Sequence, residues 1–188
     1  MAAPVQTGLA YADLRHFPDD NLRRELLGGD LFVTPAPRTR HQAVVTNLLL
    51  ALGLYARQRG AAAFTAPLDV FFNDKDVVEP DLVYLVREHR DQIEKLFVRG
   101  APDIVVEVSS PSTRTLDLRR KRDLYEHNGV PEYWYVDLEA DRIEVYRLDE
   151  RGLYQTPTLH ERGTHVTSRL LPVFALAVND ALGEADPG

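Results

Sequence analysis

The sequence predicts an α/β domain, and three observations predict it. Asp103-Ile104-Val105-Val106-Glu107-Val108-Ser109-Ser110 is an almost uninterrupted apolar run, which suits a central strand covered on both faces. Stretches with helical spacing of apolar residues stand on either side of it. Turn-forming clusters separate further runs of β-formers, and no linker or repeat divides the chain. At 188 residues it is large enough to build one core without staples.

Residues 1–20 read as a lead-in with a short helix around Tyr11 to Phe17. Two apolar runs around Gly28-Gly29 predict a β-hairpin from Arg24 to Val33, ended by Pro35 and Pro37. Thr39 is the expected cap of a helix that opens at His41, runs to about Arg59 and stops at Gly60. Its apolar positions 44, 45, 48, 49, 52 and 55 give it one core face. Phe64 to Phe72 reads as a strand, and Val77 to Val86 as another beyond the turn Asn73 to Asp76. Arg87 to Val98 is expected as a charged surface helix. The apolar strand follows, closed by Pro111, and Thr113 is placed to cap a helix from Arg114 to His127 that ends at Asn128-Gly129. Glu132 to Asp137 and Arg142 to Leu148 form a second hairpin, followed by short strands to about Val178. The expected organisation is a lead-in over 1–20, one domain over 21–178 and an acidic tail over 179–188.

Composition narrows the function classes. The chain has no cysteine, which excludes disulfides, thiolate nucleophiles and zinc–thiolate sites. No basic-then-apolar leader and no run of about 18 apolar residues is present, so a cytoplasmic protein without a membrane segment is expected. A net charge of −7 argues against a non-specific nucleic-acid coat. It leaves room for an enzyme whose acidic residues hold a divalent metal.

Glu107 is the residue that needs explaining. An ionised carboxylate in an apolar strand costs several kcal/mol unless a metal, a cation or a raised pKa offsets it, about 3–5 kcal/mol when a buried partner is missing. Asp81 lies on the preceding strand, and if the two strands are neighbours both carboxylates fall on one side of the sheet. Two close carboxylates favour a hard cation such as Mg²⁺ with oxygen ligands. A turn acid after Pro80 is the alternative for Asp81, and a buried salt bridge is the alternative for Glu107. In the following helix Leu118, Lys121 and Tyr125 share a stripe, so Lys121 faces inward while Arg119, Arg120 and Arg122 point elsewhere. Lys121 could orient a water or stabilise a pentacovalent phosphate, or it could simply snorkel. No glycine-rich phosphate loop is present, and Ser109-Ser110 lacks the glycines of a nucleophile elbow. Trp134 and Tyr135 alternate in a strand and read as core and face residues rather than a base-stacking platform.

Glu79-Pro80-Asp81, then Pro102 to Arg114, Lys121, Tyr125 and Gly129-Val130-Pro131-Glu132-Tyr133-Trp134 together resemble the Uma-type restriction endonuclease family of the PD-(D/E)XK nuclease superfamily. The likeness covers roughly residues 20 to 175. It implies a restriction-endonuclease-like three-layer core, a mixed β-sheet flanked by helices, with the N-terminal hairpin added. It implies Asp81, Glu107 and Lys121 as catalytic residues. Asp81, Glu107, the Val108 carbonyl and His41 become candidate ligands of Mg²⁺ or Mn²⁺. Ser109 stands where the superfamily places its lysine, and Lys121 replaces that lysine from the next helix. Ser109, Arg114, Arg119, Arg120, Arg122 and Tyr125 are candidate substrate contacts. Glu25 and Asp30 match family positions, but a strand-end acid and a turn acid explain them. The implied activity is metal-dependent endonucleolytic cleavage, with DNA as the substrate and a homodimer as the assembly. The alternative is a catalytically weak nucleic-acid-binding or regulatory module on the same fold.

Overall fold

A computed structural model describes residues 4–18, 20, 22–110 and 114–184. The strand end expected at Pro111 and the cap expected at Thr113 lie outside these residues. Two sheets and a small ribbon are built from β1 (Arg23–Leu27), β2 (Asp30–Thr34), β3 (Ala62–Thr65), β4 (Asp69–Asn73), β5 (Asp76–Val78), β6 (Leu82–Leu85), β7 (Phe97–Arg99), β8 (Ile104–Val108), β9 (Glu132–Asp137), β10 (Arg142–Arg147), β11 (Thr158–Glu161), β12 (His165–Thr167) and β13 (Ala175–Ala177). The helices are α1 (Tyr11–Leu14), α2 (Thr39–Arg59), α3 (Arg122–His127) and α4 (Val178–Leu182), and a π-helical stretch, Leu116–Lys121, runs directly into α3.

The central sheet has the order β11-β10-β9-β8-β6-β3. It is mixed, since β8 pairs parallel with β9 and antiparallel with β6. Alternation along β8 sends Ile104, Val106 and Val108 to one face and Val105 to the other. The first face is covered by α2, through Val44, Val45, Leu48, Leu52, Tyr55 and Ala56, and by the C-terminal segment. The second face packs on Leu116, Tyr125 and a second sheet of order β2-β1-β5-β4-β7. Three layers result, and Glu107 belongs to the second face, between the sheets.

The Gly28-Gly29 hairpin forms as expected, with φ of 64° and 79° at its two central residues. Gly60 ends α2 in the left-handed conformation. Several boundaries differ from expectation. Thr39 does not cap α2: Arg38 is the N-cap residue, without a side-chain bond. The run Val77 to Val86 is two strands in different sheets, β5 and β6, joined by Glu79-Pro80-Asp81. Proline lacks the N–H that pairing needs, so the chain leaves one sheet there and enters the other. Phe64 to Phe72 divides likewise around Pro67 into β3 and β4. Arg87 to Val98 is a 3₁₀ turn, Arg87–Gln92, followed by β7, which pairs parallel with β4. The expected frayed acidic end opens with α4, whose Val178, Ala181 and Leu182 are buried.

Candidate active site

The two-sheet crossing sets the site. β6 and β8 are antiparallel neighbours with Leu82 opposite Val106, so continuing the register by one residue sets Asp81 opposite Glu107. Both carboxylates then face the seam between the sheets. A cavity of about 240 Å³ opens at this seam, and its wall includes Arg23, Arg38, His41, Asp81, Glu107, Val108, Ser110, Asp117 and Lys121.

Asp81 is buried and surrounded by donors. Oδ1 accepts Arg23 Nη2 at 2.8 Å, and Oδ2 accepts the Val108 N–H at 2.8 Å. His41 Nε2 lies 3.0 Å from Oδ2. Burial pushes this carboxyl up, but His41, Arg23 and the Val108 N–H together outweigh burial and hold it low, at about 2. Asp81 is therefore a carboxylate at neutral pH.

Glu107 has the opposite character. Its Oε1 accepts Lys121 Nζ at 3.0 Å and the Tyr125 hydroxyl at 2.6 Å. Burial raises it to about 7, with Lys121 pulling it down and Asp81 and Glu25 pushing it up. Lys121 itself is buried among three acids, at 2.7 Å from Glu25, 3.0 Å from Glu107 and 3.8 Å from Asp117. Burial opposes its charge, but these carboxylates prevail and its pKa is raised, so it stands as an ammonium.

The buried inner face of this segment is Leu116, Asp117, Lys121 and Tyr125, with Leu118 only half-buried. The π-helical turn accounts for the shift, because its wider winding moves the inward stripe by one residue at its start. Sequence reasoning missed Asp117 for that reason. It also missed Arg23 and undervalued Glu25, which is fully buried and accepts the Glu79 N–H at 2.9 Å beside its bond to Lys121. The available signal was the alternation Arg23, Glu25, Leu27, which places all three on one face of β1.

The other candidates fall into place around this centre. Ser109 is buried, and its Oγ accepts the Leu138 N–H at 2.9 Å. Arg114 pairs with the buried Asp137 at 2.7 Å. Ser109, Ser110 and Arg114 line a second cavity of about 410 Å³, which shares Arg38, His41 and Ser110 with the first. Arg119 is exposed. Arg120 is held by Asp30 at 3.1 Å and lies over the Phe32 ring, and Arg122 pairs with Asp123 at 2.8 Å. These three arginines line neither cavity. Asp30 thus has a partner of its own, away from the carboxylate pair.

Among the described residues no group of three acidic, histidine or cysteine side chains has the spacing of a complete metal shell. Two carboxylates with open space beside them suit Mg²⁺ or Mn²⁺, which keep several waters and take few protein ligands. Both donors to Glu107 use Oε1, and among the described residues none meets Oε2. The Val108 N–H points to Asp81, and the carbonyl of an extended residue leaves the strand on the same side as its N–H. Asp81, Glu107 and the Val108 carbonyl therefore fit such an ion. His41 Nε2 faces Asp81 Oδ2 and would have to leave it to ligate the ion itself.

No helix is long and apolar enough to cross a membrane among the described residues. No curated protein matches the chain. Among solved structures, a crystal structure from Anabaena variabilis ATCC 29413, described as "a putative nuclease belonging to DUF820", is 19% identical with a TM-score of 0.77. The match covers 93% of this chain and 98% of that one. At that identity the likeness establishes the fold, and the three-layer core is restriction-endonuclease-like. The model of the Uma2 family, described as "Putative restriction endonuclease", matches residues 11–179, and the chain belongs to that family.

Proposed function

We propose that this protein is a metal-dependent endonuclease that hydrolyses phosphodiester bonds in DNA. One observation carries the reading: Asp81 from the turn before β6, Glu107 from β8 and Lys121 from the π-helical stretch line the same cavity. Mg²⁺ or Mn²⁺ would be held by Asp81, Glu107 and the Val108 carbonyl. A bound ion of this kind supplies an activated water and neutralises charge developing on phosphorus. The reaction bonds a water oxygen to phosphorus and breaks, in line, the bond to the leaving ester oxygen, which takes up a proton as the attacking water gives one up. Lys121 carries its proton on Nζ, so it donates to a phosphate oxygen as negative charge grows there. Its charge suits that role better than proton removal. Arg23 and Arg38, on the cavity wall, are the guanidinium groups nearest to hand for the phosphate backbone. Arg114 and Ser109, in the adjoining cavity, are the next contacts along the strand. A homodimer in the cytoplasm completes the reading, since cutting a duplex takes two strand scissions.

A second reading rests on the donors to Asp81. Arg23 and His41 occupy its two oxygens, as suits a binding or regulatory module that never takes up metal. Calorimetry with Mn²⁺ separates the two, since a folded chain without heat of binding at millimolar metal favours the module. Cleavage of supercoiled plasmid in millimolar Mg²⁺ or Mn²⁺ is the direct test. The wild type is expected to nick and linearise it. The Asp81→Ala/Glu107→Ala variant is expected to lose at least about 10³-fold, the scale on which removal of a main charge-stabilising group acts. Equal cleavage by both proteins defeats the proposal.

A further inference from the structure

Glu25 does not line the cavity, yet it makes the shortest ion pair that Lys121 has, at 2.7 Å. Its Oε1 serves both Lys121 and the Glu79 N–H, while Oε2 is buried without a hydrogen-bond partner among the described residues. A buried carboxylate with one oxygen unsatisfied is destabilising, whereas an apolar residue such as Leu27, next on the same face of β1, buries without that cost. Charge compensation alone does not require Glu25, because Glu107 and Asp117 already face the ammonium at 3.0 and 3.8 Å. What Glu25 adds is direction. It reaches Nζ from the hairpin sheet, while Glu107 reaches it from the central sheet.

We infer that Glu25 is a positioning residue: together with Glu107 it suspends Lys121 Nζ between the two sheets, where the ammonium meets the scissile phosphate. The inference rests on the nuclease reading above. Strand β1 makes a matching contact two residues earlier, where Arg23 grips Asp81 at 2.8 Å. One strand thus braces an acid and the lysine through side chains of opposite charge. Loss of Glu25 leaves two carboxylates to pair the ammonium, so the fold persists while Nζ swings toward them. A misplacement of about 1 Å in a catalytic group can lower a rate by about 10²-fold.

The test uses Glu25→Gln, which keeps an oxygen for Glu79 and Lys121 but loses the charge, and Glu25→Asp, which keeps the charge on a shorter stem. Plasmid cleavage at limiting and saturating DNA is expected to give Glu25→Gln a kcat about 10- to 100-fold lower, with KM within about twofold of wild type. Glu25→Asp is expected to regain part of that loss. A kcat per folded molecule equal to wild type overturns the inference, as does a change confined to KM. Thermal unfolding of the wild type, Glu25→Gln, Lys121→Met and the double variant in metal-free buffer reads the contact without any cleavage. Non-additive changes in Tm support the pair, and additive ones overturn it. A wild type that cleaves nothing defeats the nuclease reading and the catalytic role of Glu25 with it, whereas an additive Tm cycle beside active wild type defeats the positioning alone.

Discussion

Asp81 and Glu107 share one cavity but hold their protons in opposite ways. Asp81 sits at the mouth of a strand, where Arg23, His41 and a backbone N–H converge on it and keep it ionised. Glu107 lies one strand further in, where burial dominates and the cation bonded to it, Lys121, is shared with Glu25 and Asp117. Residue type does not decide the behaviour of a carboxylate. The number of donors aimed at it, set against its desolvation, does. Two acids driven apart in this way form a pattern suited to a reactive centre, since one is charged at neutral pH and the other responds to its surroundings.

The sharpest way to break the contrast is Lys121→Met. It leaves Glu25, Glu107 and Asp117 buried together without their cation, and a loss of about 3–5 kcal/mol in urea unfolding at pH 7 is expected. A loss below about 1 kcal/mol, the scale of an exposed pair, would mean that the ammonium compensates nothing.

The pH dependence of metal-free stability comes next. Because burial raises Glu107, the folded chain binds its proton more tightly than the unfolded chain. Its contribution is complete below the ordinary carboxylate value of 4.5 and is lost as pH rises through about 7. Asp81 behaves in reverse: its contribution is present above its ordinary value of 3.8 and is lost as pH falls through about 2. Glu107→Gln is therefore expected to remove a decline on the order of 3 kcal/mol between pH 4.5 and about 7, measured as the urea midpoint against pH, and to leave the acid limb in place. An unchanged upper limb would refute the raised value.

The smallest effect expected is that of Tyr125→Phe. The hydroxyl donates to Glu107 at 2.6 Å and favours the charged form. Its removal is expected to cost about 1.5 kcal/mol at pH 8 and, by raising Glu107 further, to carry the upper limb to higher pH without touching the acid limb. Equal losses at pH 5 and pH 8 would point to packing instead.

Much of the scaffold could be read directly. The Gly28-Gly29 hairpin, the core face of α2 and the β9–β10 hairpin rest on local rules: positive φ at glycine, a 3.6-residue period, and alternation along strands. The near-continuous apolar run marked Glu107 as buried, and helical spacing marked Lys121 as inward. Reading failed where partners are distant in sequence. The apolar run from Val77 to Val86 carries no sign of which sheet each half joins. Pro80 was visible, but its consequence required the second sheet to exist. Phe97 and Val98 looked like the end of a charged helix because their partners, Asp69 and Val70, lie far back in the chain.

The site divides along the same line. Sequence by itself determined that an acid must be buried in the central strand, that another precedes it after a proline, and that a lysine on the next helical segment faces inward. These follow from periodicity and from the cost of burying charge. Only the tertiary structure decided which donors meet which oxygen. Arg23 and Glu25 stand on a strand of the other sheet, 58 residues before Asp81 in the first case, and a π-helical turn aims Asp117 and Lys121 into the seam. Proton affinity depends on distances of 3 Å between groups that local rules never bring together, which is why the contrast between the two carboxylates became legible only once the sheets were packed.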